Sequence, residues 1–536
     1  MNGISSYKEK WLMNLSRRNF LSSMGLTAAA LAAPQALTAA APSASVPCRP
    51  KRIIMIVADD LGYGDMGCYG AEANLTPFID TYVNRGVRFL DAHATAATCT
   101  PSRYALFTGS YAWRKPGTGI APGDSKLLID HTGPTMLKML KKTGMVTGAI
   151  GKWHLGMGPG PGKTNWNKLI KPNANDLGFD ETFLMAATAD RTPCVYVRNG
   201  LVENLDPNDP IEVNYHHNYP GEPDGKRDRA SLKMDWLVGH NMAVVNGIGR
   251  IGYMKGGKKA RWVDEDMADV FVAEAQKFIV KHKNEDFFLY LGTNDIHVPR
   301  VPHPRFVGKT KHGPRGDVTY QFDDSVRRVV ETLRKEGLEK DTLLIITSDN
   351  GPVVNDGYKD RSIELLGNHK PAGQWRGGKY TPFEGGHRVP FIAVWPNVLP
   401  AGETSDTLLQ LVDMTATFAT LRGYDLQPGT FPDSFDQSAA FFKPNAPSTR
   451  PYAIFQDYQM NIRMGHMKYI YPQGGNSLDC TKGRKLTALD GQLYDLSKDP
   501  AEMHNLAKEQ PQLATKLANL MIDAAKNGYT RPGFKK

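Results

Sequence analysis

Short, continuously apolar runs alternate with amphipathic segments along most of this chain. The apolar runs lie at 52–58, 145–150, 287–291, 343–347 and 391–395. Such runs are typical of strands buried on both faces, as in a parallel sheet that helices cover on both sides. Helices are predicted between them, at 134–143, 264–282 and 320–335. The pattern therefore predicts an α/β fold with a large, mixed, mostly parallel sheet sandwiched by helices.

The last part of the chain has a different pattern. Strands are predicted at 467–471 and 492–496, and a helix follows that passes through Leu513, Leu517, Leu520 and Met521. We therefore expect a main domain at 45–450 and a smaller C-terminal α+β subdomain at 451–536. Segment 190–262 has mixed polarity, and we interpret it as an insertion near the mouth of a site.

Residues 1–44 are predicted to be a twin-arginine signal peptide and spacer. Arg17-Arg18 precedes Phe20-Leu21 and an alanine-rich run at 24–33. The run is shorter than the roughly 18 apolar residues of a membrane span, and no later stretch reaches that length. We therefore expect the twin-arginine translocase to export the folded protein to a periplasmic or secreted location, without a stable membrane span. An ordinary arginine pair is the alternative.

Composition narrows the class of protein only moderately. The 536 residues carry a formal net charge of +10, from 65 basic and 55 acidic side chains, and the excess is spread along the chain. A spread positive charge suits a small anionic substrate or a polyanion, and without a nucleic-acid-binding motif we expect no nucleic-acid partner. Five scattered cysteines do not form a disulfide framework or a zinc motif, and their pairing stays open.

Polar side chains follow several predicted strands directly. The carboxyl ends of strands in an open α/β sheet are where ligands bind, so we expect these groups to converge. Adjacent carboxylates repel unless a cation lies between them, and hard oxygen ligands favour Ca²⁺, with Mg²⁺ as the alternative. For each of these side chains taken singly, the alternative is a role in a turn or as a helix cap. The side chains are Asp59, Asp60, Lys152, His154, His297, Asp349 and Asn350.

The stretch from Cys99 to Gly109, Cys-Thr-Pro-Ser-Arg-Tyr-Ala-Leu-Phe-Thr-Gly, reads as a loop that ends at a helix N-terminus. Pro101 is suited to the first helical position, and the unpaired amides of such an end attract anions. A buried cysteine beside a helix start is the plain alternative. A second loop, from Arg376 to Pro390, carries Lys379 within Gly-Gly-Lys and continues to Glu-Gly-Gly-His-Arg-Val-Pro.

Taken in chain order, these motifs resemble those of the type I, formylglycine-dependent sulfatases of the alkaline-phosphatase-like superfamily. The resemblance covers roughly residues 50 to 530. It implies a sulfuric ester hydrolase whose Cys99 is oxidised to formylglycine by a formylglycine-generating or sulfatase-maturing enzyme. It also implies that the metal ligands are Asp59, Asp60, Asp349, Asn350 and the converted Cys99. The catalytic residues that it implies are Cys99, Arg103, Lys152, His154, His297 and Lys379.

The resemblance also implies a mechanism. One hydroxyl of the hydrated aldehyde attacks sulfur, with Asp349 taking its proton, while the leaving alcohol is protonated by His297 or Lys379. The second hydroxyl, deprotonated with help from His154, then expels sulfate. Lys152, Lys379 and the cation withdraw charge from the sulfate, and Arg103 holds the formylglycine.

The expected substrate is a sulfated saccharide with an accessible terminal sugar. Aromatic and basic side chains near Lys379 suit a sugar ring, and Trp375 is expected to stack on it. A phosphodiesterase or phosphonate monoester hydrolase of the same superfamily and a non-catalytic glycan-binding relative are the alternatives. The candidate substrate residues are His369, Trp375, Arg376 and His387.

Overall fold

The computed structural model describes residues 48–71, 75–457, 459–472 and 491–534, with the backbone of two short paired strands, Ser477–Asp479 and Arg484–Leu486. The predicted signal peptide lies outside the described residues. Within them, no helix is both long enough and apolar enough to cross a membrane.

Ten strands form the main sheet, numbered here in chain order. They are β1 Arg52–Ala58, β2 Gly86–Phe89, β3 Val146–Lys152, β4 Glu181–Met185, β5 Tyr196–Arg198, β6 Leu201–Val202, β7 Phe287–Gly292, β8 Thr342–Ser348, β9 Phe391–Val394 and β10 Glu403–Ser405. Their order across the sheet is β10-β2-β9-β8-β1-β7-β3-β4-β5-β6. The five central strands from β8 to β4 are parallel, whereas β9, β2, β5 and β6 introduce antiparallel pairs. The predicted α/β class with a mixed, mostly parallel sheet is confirmed.

Nine α-helices accompany the strands in the described residues. They are α1 Pro77–Tyr82, α2 Cys99–Thr108, α3 Met136–Lys142, α4 Met267–Lys281, α5 Gly313–Lys335, α6 Glu384–His387, α7 Met414–Arg422, α8 Ser438–Phe442 and α9 Pro511–Asn527. Phe287 contacts Phe278 of α4, and the next residue, Phe288, contacts Phe418 of α7. Because successive strand residues point to opposite faces, α4 and α7 cover opposite sides of the sheet.

The burial of β1 explains its sequence. All seven residues of this strand are buried, and those from Ile53 to Ala58 have no exposed surface. A strand with neighbours on both sides and helices on both faces has no solvent-facing position, so apolar residues follow one another without alternation.

The C-terminal segment forms its own small antiparallel sheet, as the two predicted strands and the predicted helix suggested. Its strands, in spatial as well as chain order, are β11 Ala453–Gln456, β12 Met460–Met464, β13 Met467–Ile470 and β14 Gln492–Asp495. Leu517 and Met521 of α9 pack against Ile462 and Leu493 in a core distinct from that of the main sheet.

The segment predicted as an insertion has two parts. Its first part, β5 and β6, extends the edge of the main sheet rather than standing apart from it. Its second part contains two short antiparallel pairs, Glu212–Asn214 with Tyr253–Lys255 and Val244–Val245 with Ile248–Gly249. A further short pair, Ala92–His93 with Leu409–Gln410, lies outside this segment.

Candidate active site

The polar side chains that follow the central strands lie at one edge of the sheet. β1 pairs in parallel with β8, Ala58 opposite Ser348, so Asp59-Asp60 and Asp349-Asn350 leave neighbouring strands side by side. Lys152 ends β3, and His154 and His297 follow β3 and β7. Each of these side chains is buried, with at most 3% of its residue surface exposed.

Cys99 is the first residue of α2, which begins two residues earlier than the predicted start at Pro101. Its Sγ lies 3.1 Å from Nδ1 of His154, while Nε2 of that ring lies 2.9 Å from the carbonyl oxygen of Ala121. Since Nε2 donates to that carbonyl, Nδ1 is left to accept a proton from the group at position 99. Burial, and then the charge of Lys152, lower the pKa of His154 well below its ordinary value, so the ring is neutral.

Arg103 lies one turn after Cys99 on α2 and is equally buried. Its Nε and Nη2 are 2.8 and 2.7 Å from Oδ2 of Asp349, and Nη1 donates to the carbonyl of Lys152 and to the hydroxyl of Tyr290. This planar fork fixes the helix against the ends of β3, β7 and β8. Arg103 therefore orients the first turn of α2, and with it Cys99, toward the carboxylates.

The acidic cluster leaves several buried oxygens without a hydrogen-bond donor. Neither carboxylate oxygen of Asp59 accepts a hydrogen bond, nor does Oδ1 of Asn350, although Nζ of Lys152 lies 2.5 Å from Oδ2 of Asp59. Burial, reinforced by Asp349 and Asp60 and opposed by Lys152, raises the pKa of Asp59 to about 8. Buried polar atoms are nearly always satisfied in native proteins, so these atoms require a further partner.

The donor set fits a hard divalent cation. Ligand atoms of Asp59, Asp349 and Cys99 lie within 4.8 Å of one another, as do those of Asp59, Asp60 and His297. Three carboxylates and the unpaired amide oxygen of Asn350 are ligands that Ca²⁺ and Mg²⁺ prefer. A cation there also removes the repulsion that raises the pKa of Asp59.

Lys379 reaches the same cluster from the loop that precedes α6. Its Nζ is 2.8 Å from Oδ2 of Asp60 and 3.1 Å from Oδ2 of Asp356. Asp356 and Asp60 raise the pKa of this lysine well above its ordinary value, against the effect of burial, so it is charged. Nδ1 of His297 is 2.6 Å from the carbonyl of Val298, which leaves Nε2, 3.8 Å from Asp60, facing the site.

The sequence pattern missed four polar residues beside this cluster. Asp356 and Tyr380 contact each other next to Lys379. Arg191 pairs with Asp190 at 2.8 Å, and its charge acts together with burial and Lys152 to lower the pKa of His154. Asp190-Arg191 follows β4, a parallel strand that sequence reasoning did not recognise. The same edge-of-sheet argument, applied to β4, would have identified this pair.

Two of the four predicted substrate residues are buried and make contacts within the protein. His387 has no exposed surface, because its ring stacks on Phe455 and its two nitrogens contact His93 and Lys468. The substrate role of His387 stays a prediction. His369 is also buried, with Nε2 2.8 Å from Asp65, and its substrate role stays a prediction too.

Trp375 and Arg376 are only partly buried, but both make contacts within the protein. The guanidinium of Arg388 lies 3.9 Å from the centre of the Trp375 ring. Arg376 stacks on Phe383 at 3.7 Å and donates to the carbonyl of Glu502 at 2.7 Å. These contacts hold the loop itself, and none of them joins either residue to the cluster around Cys99.

Comparisons with known proteins agree with this geometry. Residues 51–424 match the Sulfatase family model. The chain is 47% identical over 472 residues to an N-acetylgalactosamine-6-O-sulfatase of Bacteroides thetaiotaomicron, covering 88% of this chain and 92% of the relative. It is also 30% identical to human arylsulfatase A, over 92% of this chain and 91% of that relative. A solved structure concerned with the metabolism of multiple glycosaminoglycans by Bacteroides thetaiotaomicron is also similar to this chain. Its TM-score is 0.86, and its sequence identity is 46%, over 89% of this chain and 99% of that one.

The chain belongs to the sulfatase family. Since the family match covers most of the chain and the strand ends assemble the groups described above, the protein is a sulfuric ester hydrolase with an acidic cluster that can hold a metal ion. The resemblance read from the sequence motifs is confirmed at the level of family, fold and enzyme class.

Proposed function

We propose that this sulfatase removes the 6-O-sulfate from N-acetylgalactosamine in a sulfated glycan. The observation that carries the proposal is the 47% identity, over nearly the whole of both chains, to a relative named for that activity. Loops at the strand ends carry specificity in an α/β enzyme, and a match over nearly the whole of both chains spans the elements that position those loops.

The buried charges support a mechanism on a sulfate ester. Lys152, Lys379 and Arg103 place positive charge around Cys99, where it stabilises the negative charge that develops on the sulfate oxygens. Addition of water to the aldehyde of formylglycine at position 99 would supply two hydroxyls on one carbon, one for attack on sulfur and one for release of sulfate with return of the aldehyde. Nδ1 of His154, 3.1 Å from Sγ, is placed to take a proton from a hydroxyl at that position.

Two groups beside Asp60 are candidates for protonating the leaving sugar hydroxyl. Lys379 is charged and contacts Asp60, and Nε2 of His297 faces the same carboxylate. Asp349 accepts from Arg103 and is the candidate base for the attacking hydroxyl.

We further propose that the cation is Ca²⁺, held by Asp59, Asp60, Asp349, Asn350 and the converted Cys99. Several side-chain oxygens suit the larger and more flexible coordination shell of Ca²⁺ better than that of Mg²⁺. When bound, the cation acts as a Lewis acid on the sulfate group. Maturation of Cys99 by a formylglycine-generating or sulfatase-maturing enzyme, and export through the twin-arginine translocase to the periplasm, belong to the same proposal.

Turnover of a matched panel of esters tests the substrate. We expect 6-sulfated N-acetylgalactosamine to be hydrolysed at least tenfold faster, in kcat/KM, than the 4-sulfated isomer, 6-sulfated N-acetylglucosamine, an aryl sulfate, an aryl phosphate diester and an aryl phosphonate monoester. A preference for the diester or the phosphonate would favour the phosphodiesterase or phosphonate monoester hydrolase alternative. A preference for the aryl sulfate would contradict the carbohydrate assignment.

The chemistry at Cys99 has its own test. Mass spectrometry of the peptide that contains Cys99 should show the aldehyde in active enzyme, and Cys99→Ala should keep the melting temperature within a few degrees while abolishing turnover. Full activity in a preparation whose Cys99 is entirely thiol would rule out this mechanism.

A further inference from the structure

The small C-terminal sheet contacts the segment that leads into α2. Oδ1 of Asp457, just after β11, accepts the backbone N–H of Ala97 at 2.6 Å, two residues before Cys99. The amide of Asn461 on β12 holds the other oxygen of Asp457 at 2.7 Å. The neighbouring Gln456 donates its backbone N–H to the carbonyl of Thr95 at 2.9 Å. The approach to Cys99 is therefore fixed by the C-terminal sheet.

Glu502 of the same subdomain contacts both ends of the segment that carries Lys379. Its Oε2 accepts the backbone N–H of Glu384 at 2.6 Å, and its carbonyl accepts from Arg376 at 2.7 Å. Between these two points the chain passes through Lys379. The N–H of Tyr380 donates to the carbonyl of Ala97 at 2.9 Å, which joins this segment to the one before Cys99.

Lys468 on β13 completes the arrangement. Its Nζ lies 3.2 Å from Oε2 of Glu384 and 3.1 Å from Oε1 of Glu502, and none of the three side chains is exposed. Glu502 has a φ of 53°, in the left-handed region that a residue with a side chain rarely occupies. Such a conformation persists only where its surroundings impose it, and it is often found where a function depends on it.

The surrounding charges show that this cluster is an ion-pair network rather than a metal site. His93, Glu384 and His387 lie close enough together for a metal. However, Arg463 and Lys468 already contact their donor atoms at 3.1–3.2 Å. Asp91, Glu384 and Glu502 balance these two cations and Arg388, so a further cation there would be repelled.

We infer that Glu502 and Lys468 are positioning residues for the sulfatase reaction: they hold the 376–384 segment so that Lys379 reaches the reacting group. The inference rests on the proposed role of Lys379. A displacement of about 1 Å in a catalytic group can reduce turnover roughly a hundredfold, although nothing at the reacting centre has changed. The contacts of Glu502 are with Glu384, Arg376 and Lys468 rather than with the cluster around Cys99, so it acts through the segment that it holds.

A double-mutant cycle tests this inference in the full-length mature enzyme. We expect Glu502→Gln to lower kcat at least tenfold at a temperature where the variant is folded, and Lys379→Met to lower it further. The double variant should be no slower than Lys379→Met alone, because the loss at 502 is exerted through Lys379. Glu509→Gln, the same exchange at an exposed position of the same subdomain, should leave kcat and the melting temperature unchanged.

Each outcome separates the possible roles. Multiplied losses in the double variant, or a Glu502→Gln variant that melts earlier but keeps its kcat, would show a merely structural role and overturn the inference. If Glu502→Gln does not fold, Lys468→Arg and Lys468→Met replace it in the same cycle. Arg, which keeps the charge, should then retain more activity than Met, and equal losses would overturn the inference. Full activity in Lys379→Met would instead overturn the proposed role of Lys379.

Discussion

At the scale of single residues, the buried carboxylate of Asp65 is held by several partners. Its two oxygens accept from Nη1 and Nη2 of Arg315 at 2.7 and 2.8 Å, from Nε2 of His369 at 2.8 Å and from the N–H of Gly62 at 2.7 Å. Burial acts to raise the pKa of Asp65, but Arg315 and His369 hold it well below its ordinary value.

Replacing Asp65 by Asn should therefore destabilise the protein strongly. The change leaves the guanidinium of Arg315 buried without its counter-charge, a loss of about 3–5 kcal/mol in the free energy of unfolding. Because the folded-state pKa of Asp65 is depressed, its contribution is fully present above the unfolded value near 3.8 and is lost as the pH falls below it.

Thermal unfolding of wild type and Asp65→Asn between pH 4 and 8 measures this effect. The difference in melting temperature should be nearly constant over that range and should shrink only at lower pH. Asp425→Asn, at an exposed position, is the control and should differ little from wild type. A difference that disappears near pH 6 would contradict the ion-pair explanation.

At the scale of elements, the neighbouring ends of β1 and β8 bring the acidic cluster together, and its carboxylates repel one another unless a cation is bound. Chelation should therefore lower the melting temperature, and Ca²⁺ should restore it. A cation present at a hundred times its Kd adds about 2.7 kcal/mol to the free energy of unfolding. The shift should be much smaller in Asp59→Asn, which removes one ligand. Identical melting curves with chelator and with Ca²⁺ would contradict the assignment.

The strands show how much of the fold could be read from the sequence. β1, β7 and β8 were predicted to within one residue, because a strand with no exposed position has an unbroken apolar run. β4 was missed because it begins with Glu181-Thr182 and so lacks such a run. The first two turns of α5 were missed because Arg315 and Asp317 are buried there through ion pairs and hydrogen bonds rather than apolar contacts.

The candidate active site shows the same limit to what the sequence alone predicts. The sequence alone predicted that the residues at the strand ends lie close together, because the topology of the sheet decides which edge they share. The contacts of His387 and His369 could not be predicted, because burial and pairing depend on segments distant in sequence, such as those of Lys468 and Asp65. A histidine in a loop has the same local pattern whether it faces a ligand or a buried carboxylate.

At the scale of the whole molecule, α2 belongs to two hydrophobic cores at once. Leu106 and Phe107 pack into the core of the main sheet, whereas Ala105 packs with the C-terminal sheet and α9. The helix that presents Cys99 is therefore clamped between the two parts of the protein.

A cavity in the C-terminal core should therefore affect the main domain as well. Leu517 of α9 has no exposed surface, and Leu517→Ala should lower the free energy of unfolding by about 2–5 kcal/mol. On heating, this variant should lose activity at a lower temperature than it loses the circular dichroism signal of the whole molecule, because α2 loses one of its supports. Met503→Ala, at a position 66% exposed, should change neither. Coincident loss of activity and of secondary structure would show instead that the two cores unfold together.

The central strand of the sheet is also the first strand of the chain, and this has a consequence for the time course of synthesis. β1 ends at Ala58, but its partner β7 begins 229 residues later, at Phe287. At about 5–20 residues per second, a ribosome needs roughly 10–50 s to make that length. From the synthesis of α2 until the end of that interval, the helix has no completed sheet to pack against. The proposed maturation of Cys99, which is only 1% exposed in the folded protein, fits this period. The order of synthesis gives a limited period for chemistry at this residue, and closure of the sheet ends it.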